Sequence, residues 1–484
     1  METVIKITGK DLMKIGFTQG KVIKVAMDVV NEYYKDYDID DISLILGKVL
    51  AEPGGYLAYF PLNLIAEELV PKVKPSNHVE LNEKGVPYTV FGKDNIEQGA
   101  FDQMDMACKL PVSVAGAMMP DSHQGYGLNI GGVLATSNAV IPYGVGVDIG
   151  CRMCLSIFSD PVERLRDKQY EFEKALTKNT MFGTGREFSN NADHEVISRK
   201  EFDEIDLLKN MRKKALNQLG TSGSGNHFVE FGIVEIIDQT NELSLAPGKY
   251  IGLLSHSGSR GIGAMIANHY TKIAMDKCIL PKEAKHLAWL SLDSQEGMEY
   301  WLAMNLAGDY ASACHHRIHE NVSGSLGLST LKMVENHHNF AWKEMYNGNE
   351  VIVHRKGATP ASKGVLGIIP GSMTMPGFIV SGKGNESSIN STSHGAGRLM
   401  SRTKAFDTIT HEMMKESLAK HGVKLFGGGL DEAPQAYKDI DMVMEDQKEL
   451  VNVLGKFYPK IVKMADTRDE PKFGKKKKNV IDGE

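Results

Sequence analysis

Side chains able to bind metal or phosphate are scattered through this chain in short segments from Asp121 to Lys463, with no break in composition between them. The main segments are Asp148-Ile-Gly-Cys151, Gly225-Asn226-His227-Phe228, Ser255-His256-Ser257-Gly258-Ser259-Arg260-Gly261, His338-Asn339 and His394-Gly395-Ala396-Gly397-Arg398. If they converge on one place, dividing the region into independent domains would split that place apart. A single large mixed α/β (α+β) catalytic domain over 76–465, with a metal-centred cleft, is therefore expected in preference to the about three domains that length alone suggests. Residues 1–75 are expected to form a small helical extension, and 466–484 a basic, flexible tail.

The hydrophobic pattern supports that division. Apolar residues recur at helical spacing from Asp11 to Lys35, Ile42 to Leu50 and Tyr59 to Val70. From Val90 onward short apolar runs alternate with Gly and Pro, the texture of strands and turns, while Glu163 to Lys178, Glu201 to Leu219, Ala264 to Cys278 and Glu296 to Glu320 read as helices. Five cysteines, an odd number at irregular spacing, argue against a disulfide framework and for reduced thiols. The N-terminus lacks a secretory apolar stretch, and the uncharged run from Tyr126 to Val147 is broken by Gly131-Gly132, Asn138 and Pro142. A cytoplasmic protein with no membrane partner is expected. The formal net charge of −6 means that any nucleic acid must be met by local basic patches or by metals.

One thiolate, one carboxylate and several imidazoles could hold two divalent metals, with Cys151 as the bridge because a thiolate sulfur can bind both ions. Taken singly, a pair such as Asp148 with Cys151 is more often a coincidence than a ligand pair, and a lone histidine such as His227 is more often a hydrogen-bonded structural residue than a ligand. His256 precedes a Ser-Gly-Ser-Arg-Gly turn in which amides, hydroxyls and Arg260 could cradle an anion. His394 is the expected nucleophile: its neighbours are small, and Arg398 can neutralise charge on a phosphoryl transition state. The competing reading makes His394 the cap of a helix running from Arg398 to Ala419. Arg355, Lys356 and Arg402 supply further cations for phosphate or RNA, and Ser372 follows Ile369-Pro370-Gly371. Two arrangements look like metal sites without supporting one: His315 and His319 are one helical turn apart with no general-base Glu between them, and Cys154 makes a C-x-x-C with Cys151 that no second pair completes. Neither a P-loop nor the lysine motif of ordinary nucleic-acid ligases is present.

Together with Met119-Pro120-Asp121-Ser122-His123, Gly131-Gly132-Val133, His354-Arg355-Lys356-Gly357-Ala358-Thr359 and Asp431-Glu432-Ala433-Pro434, these segments resemble the RtcB family of RNA ligases. The resemblance implies two Mn²⁺ ions, one on Asp148, Cys151 and His227, the other on Cys151, His256 and His338. It implies GTP as the second cofactor, with His394 guanylylated, Asn226 and Arg398 assisting, and Glu230, Tyr437 and Lys463 at the guanine. His338, Asn339, Ser372, Gly395, Ala396 and Gly397 would line the rest of the nucleotide site. The implied reaction joins RNA 2′,3′-cyclic-phosphate or 3′-phosphate ends to 5′-hydroxyl ends in tRNA splicing or RNA repair, with an archease-like activator as a further partner. The alternatives are a 3′-phosphate guanylyl-capping enzyme on RNA or DNA, and an idle RNA-binding protein on the same scaffold. Tyr143, Val147, Gly150, Arg152 and Gly377 depart from the family pattern, and none of them is a metal-ligand position.

Overall fold

The computed structural model describes residues 7–18, 20–70, 77–189 and 193–466. The chain separates into two compact units, Met1–Ser76 and Asn77–Glu484. The Lys475–Lys478 run and all of the tail but its first residue lie outside the described residues.

The smaller unit contains helices Gly9–Ile15, Gly20–Tyr33, Ile39–Ala51 and Asn63–Leu69. A capping box between Thr8 and Asp11 starts the first, and Asp38 accepts from the Asp40 amide to start the third. The run read as one helix from Asp11 to Lys35 is two, because the chain turns left-handed at Gly16. Leu12, Val22, Ala26, Val29, Leu46, Val49 and Ile65 close a core of their own.

In the larger unit a mixed sheet runs in the order Leu366–Ile369, Gly377–Gly382, Val451–Met464, Phe228–Ile236, Gly248–Ser257, Arg152–Phe158, Thr330–His337, with Lys424–Phe426 also paired to Val451–Met464. A second sheet is ordered Tyr88–Val90, Ser113–His123, Ile130–Thr136, Asn349–Lys356, Asn339–Tyr346. Strand side chains alternate between faces, and both faces of the larger sheet are buried. Val229, Phe231 and Leu253 pack on one side with Phe172 and Leu176, while Met153, Leu155, Val234 and Phe457 fill the other. The same alternation sends Phe228, Glu230, Leu254 and His256 to one cavity, and leaves Ser255 and Ser257 to face the 30-residue helix Gln295–Gly324.

Several expected helices differ in extent. Glu201 to Leu219 is interrupted, with helix only at Glu201–Glu204 and Arg212–Gln218, because Ile205 and Leu208 turn into the core between them. Glu163 to Lys178 breaks at Lys168. No cysteine is in a disulfide, and all five are buried. No helix among the described residues is long and apolar enough to cross a membrane.

Candidate active site

Three neighbouring strands end at the same edge of the larger sheet, and their ends carry the metal candidates. Arg152 pairs with Ser257 on one side and His337 on the other, so Cys151, His256 and His338 arrive together. Phe228 pairs with His256, which brings His227 alongside. Cys151 Sγ is 3.2 Å from His256 Nε2 and 3.5 Å from His227 Nε2, His256 Nε2 is 3.2 Å from His338 Nε2, and Asp148 Oδ2 is 3.0 Å from His227 Nε2. These separations are those of donors that share ions at about 2.0–2.3 Å. All five expected ligands therefore meet, with the sulfur between the two halves.

The hydrogen bonds behind the cluster fit metal binding at His256. Its Nδ1 faces the Asn226 carbonyl at 3.2 Å, so Nδ1 carries the proton and Nε2 offers its lone pair to the cluster. At His227 the Gly223 amide donates to Nδ1, which leaves the Nε2 proton directed at Asp148; an ion would take that proton's place. Burial pushes the Asp148 carboxyl up, but His227 and Arg260 outweigh it and hold the group down at about 2. Burial, with His394 and His256 nearby, holds His338 well below the usual imidazole range, in the neutral form a cation requires.

A second group, Cys154, His315 and His319, also brings three buried donors together, but its centre is taken. Ser255 Oγ lies 2.6 Å from His315 Nδ1 and 2.8 Å from His319 Nε2, His315 Nε2 meets the Ser257 carbonyl at 3.0 Å, and Ser156 Oγ meets His319 Nδ1 at 2.7 Å. One proton order satisfies every ring nitrogen with both imidazoles neutral, so the group is a closed hydrogen-bond chain that ties the His256 strand to the long helix.

His394 follows the short strand Ser391–Ser393 and caps no helix. The segment read as a helix from Arg398 to Ala419 is two helices, Arg402–Thr408 and His411–His421, capped by Ser401 and Thr410. His394 Nδ1 is 2.7 Å from Asp121 Oδ2, and the same oxygen accepts the His394 and Gly395 amides. The His394 and His338 rings are 5.0 Å apart, which sets the imidazole at the border of the metal cluster. Gly397 has φ 73°, and a Cβ there would lie 2.3 Å from the Asp121 carbonyl, so the turn can press onto Asp121 only as glycine.

One cavity joins His394 to the cluster. Asn226, Glu230, His338, Ser372, His394, Gly395, Ala396, Gly397, Arg398 and Tyr437 line it, as do Phe228, Gly377 and Pro370. His123 and Glu432, to which the sequence motifs assign no individual role, line it too. Burial alone drives the Glu230 carboxyl, 4% exposed, well above its usual range. Tyr437 donates to Glu432, whose second oxygen receives Arg402. Arg398 is stacked over Tyr437 and bonded to the Asp431 carbonyl.

Other expected residues sit elsewhere. Lys463 is on the strand face opposite its cavity-lining neighbours Val462 and Met464, paired with Val229. Asn339 does not line the cavity; its side-chain oxygen accepts the Gly357 amide and its backbone carbonyl accepts the Gly150 amide, so it braces the turns beside the site. Arg355 is fully buried in a two-pronged ion pair with Glu344 and over the Trp342 ring, so it offers no surface to a phosphate. Lys356 donates to the Tyr126 carbonyl and lies over the Tyr143 ring. Arg260 bonds Thr221 and the Gly183 carbonyl at the edge of the cluster, and Arg402 reaches over the Gly225 turn. Asp121 had been read only as part of a motif; its role is set by chain geometry that no spacing encodes.

Comparison with known proteins agrees with this geometry. The model of the family described as tRNA-splicing ligase RtcB matches residues 103–205 and 193–464. The RNA-splicing ligase RtcB of Escherichia coli (strain K12) is 35% identical over 405 residues, covering 78% of this chain and 94% of that protein. The tRNA-splicing ligase RtcB of Methanococcus maripaludis is 31% identical over 423 residues, covering 73% and 88%, and that of Nanoarchaeum equitans is 30% identical over 452 residues, covering 77% and 94%. With its five metal-ligand candidates gathered at one sheet edge and His394 beside them, the chain belongs to the tRNA-splicing ligase RtcB family.

Proposed function

We propose that this protein is a GTP-dependent RNA ligase that joins 2′,3′-cyclic-phosphate or 3′-phosphate ends to 5′-hydroxyl ends through a guanylylated His394. The observation that carries the reading is the His394 imidazole, fixed by Asp121 at the border of a five-donor cluster. With its Nδ1 proton given to Asp121, the ring keeps its Nε2 lone pair for attack. Nε2 attacks the α-phosphorus of GTP and pyrophosphate leaves. The guanylate then passes from His394 to an oxygen of an RNA 3′-phosphate, formed where necessary by hydrolysis of the cyclic phosphate. A 5′-hydroxyl attacks that activated phosphorus and GMP leaves.

Asp148, Cys151 and His227 would hold one divalent ion, and Cys151, His256 and His338 another; Mn²⁺ is the ion that the family resemblance implies, the Asp148 carboxylate suits it, and the thiolate and imidazoles by themselves fit zinc as well. When bound, the ions supply positive charge to phosphoryl oxygens. Arg398 and the amides of Ala396 and Gly397 add donors along the same wall of the cavity. Glu230 supports guanine over adenine: a buried carboxyl without compensating charge is matched by the adjacent N–H donors of guanine, which adenine lacks on that edge.

The test is incubation with labelled GTP and Mn²⁺, then ligation of RNAs with defined ends. His394→Ala is expected to take up no label while keeping its fold, and wild type to seal 3′-phosphate to 5′-hydroxyl ends. Label retained by the variant would move the nucleophile elsewhere, and sealing of 3′-hydroxyl to 5′-phosphate ends would refute the scheme. Transfer of GMP to the RNA without sealing, even with an archease-like activator, would make the protein a capping enzyme.

A further inference from the structure

The family match begins at residue 103, so the helical unit over 1–76 lies outside the part that carries the chemistry. Its charge is partitioned along the chain. Between Gly9 and Lys24 stand Lys10, Lys14, Lys21 and Lys24 against Asp11 alone, whereas from Asp28 to Glu68 two lysines face nine carboxylates. All four lysines of the first stretch are exposed. Lys10 and Lys14 are one turn apart on the first helix, with Met13, 57% exposed, beside them; Lys21 and Lys24 share a face at the start of the second. Lys14 and Lys21 have partners in Asp11 and Glu68. Among the described residues Lys10 and Lys24 have no carboxylate within ion-pair distance, so their charge is directed outward. The chain as a whole is acidic and repels a polyanion, and a local cationic surface of this kind is what recruitment of one requires.

We infer that the lysine face of the first two helices is an RNA-binding surface that holds the phosphate backbone of the ligase substrate. This rests on the RNA-ligase reading for the identity of the polyanion. The face consists of lysines with no arginine, so it meets phosphates as point charges and reads no sequence. Its contribution appears as counterion release: each lysine engaged with a phosphate adds about 0.7–0.9 to the slope of log affinity against log salt.

The experiment measures binding of the full-length protein to a stem-loop RNA with a 5′-hydroxyl end, at KCl concentrations from about 0.05 to 0.2 M. Lys10→Gln with Lys24→Gln is expected to lower the salt slope by roughly 1.5 and to weaken binding at the lowest salt about tenfold, with guanylylation by GTP unchanged. The control pair Lys35→Gln with Lys48→Gln, on the acidic stretch, is expected to change the slope little. Lys14→Gln with Lys21→Gln repeats the test should the first pair lower the melting temperature. An unchanged slope in both lysine-face variants, or an equal loss in the control pair, overturns the inference. So does binding to phosphatidylserine vesicles that depends on these lysines while RNA binding does not. Guanylylation is read in the same samples, so absence of label in wild type would count against the ligase reading and leave the RNA measurement to decide this one.

Discussion

Asp121 Oδ2 lies 2.7 Å from His394 Nδ1 and also receives the amides of His394 and Gly395. Three donors on one oxygen fix both the rotation and the tautomer of the imidazole. The carboxylate is fully buried, so its charge acts on the ring with little screening by water. In the proposed reaction it would stabilise the positive charge that the ring acquires as Nε2 bonds to phosphorus.

Asp121→Asn is accordingly expected to slow guanylylation by about 100-fold or more, because an amide can donate to Nδ1 and so favour the tautomer that lacks a lone pair on Nε2. GTP affinity should change much less. A labelling rate within about threefold of wild type, measured by rapid quench, would show that Asp121 only packs.

At the metal cluster, Cys151→Ser should remove more metal than the loss of any one histidine, since its sulfur faces both halves and a neutral hydroxyl replaces a thiolate poorly. Metal content of the purified variants decides this. Two tightly held ions in Cys151→Ser, against one in His338→Ala, would end the bridging assignment.

Glu230 gives a prediction in pH. Burial raises its carboxyl above the unfolded value, so the stability of the neutral form is fully present below the ordinary carboxylate range and is lost as pH rises through the raised value. Guanine donors favour the ionised form, so GTP binding should release a proton within that window. Calorimetry in buffers of different ionisation enthalpy measures the proton. In Glu230→Gln the release should vanish, GTP affinity should fall by roughly 1.5–3 kcal/mol, and the nucleotide-free protein should gain stability at neutral pH. Proton release persisting in Glu230→Gln would assign it to another group.

Gly150 tests a departure from the family pattern. Its φ is 70°, and a Cβ would meet the Gly308 Cα at 2.8 Å, where the long helix passes beneath the Cys151 turn. Arg152 spans the same contact, donating to the carbonyls of Gly150 and Gly308 and pairing with Glu335. Asn is among the residues that best tolerate such a φ, yet Gly150→Asn should cost roughly 2 kcal/mol or more through steric overlap. A denaturation midpoint equal to that of wild type would show that the helix can yield.

Singly, Asp148, Cys151 and His227 are ambiguous in the sequence; the ordered motifs of the RtcB resemblance group them with His256 and His338, and the structure brings all five together. The sequence also showed the helical texture of the first unit and the strand texture of the second. What it hid was direction. Arg355 and Lys463 match motif positions, but strand alternation turns Lys463 from the cavity and Glu344 keeps Arg355 in the core. Asp121, Glu432 and the Ser255 chain were hidden for the opposite reason: each acts through a contact between segments far apart in sequence. The breaks at Gly16, Lys168 and Ile205 followed local turns that hydrophobic period alone does not resolve.

The arrangement of ligands at the ends of paired strands also bears on how the protein comes apart. Cys151 and His256 are 105 residues apart, His256 and His338 a further 82, and only the pairing of Arg152–Phe158 with both neighbouring strands joins them. Contacts of such sequence separation form late on the folding route. Ions that need the finished sheet edge would bind the native state far better than the transition state, and would act on the exit rate alone. Stripping them should leave refolding speed almost unchanged and make the native protein short-lived.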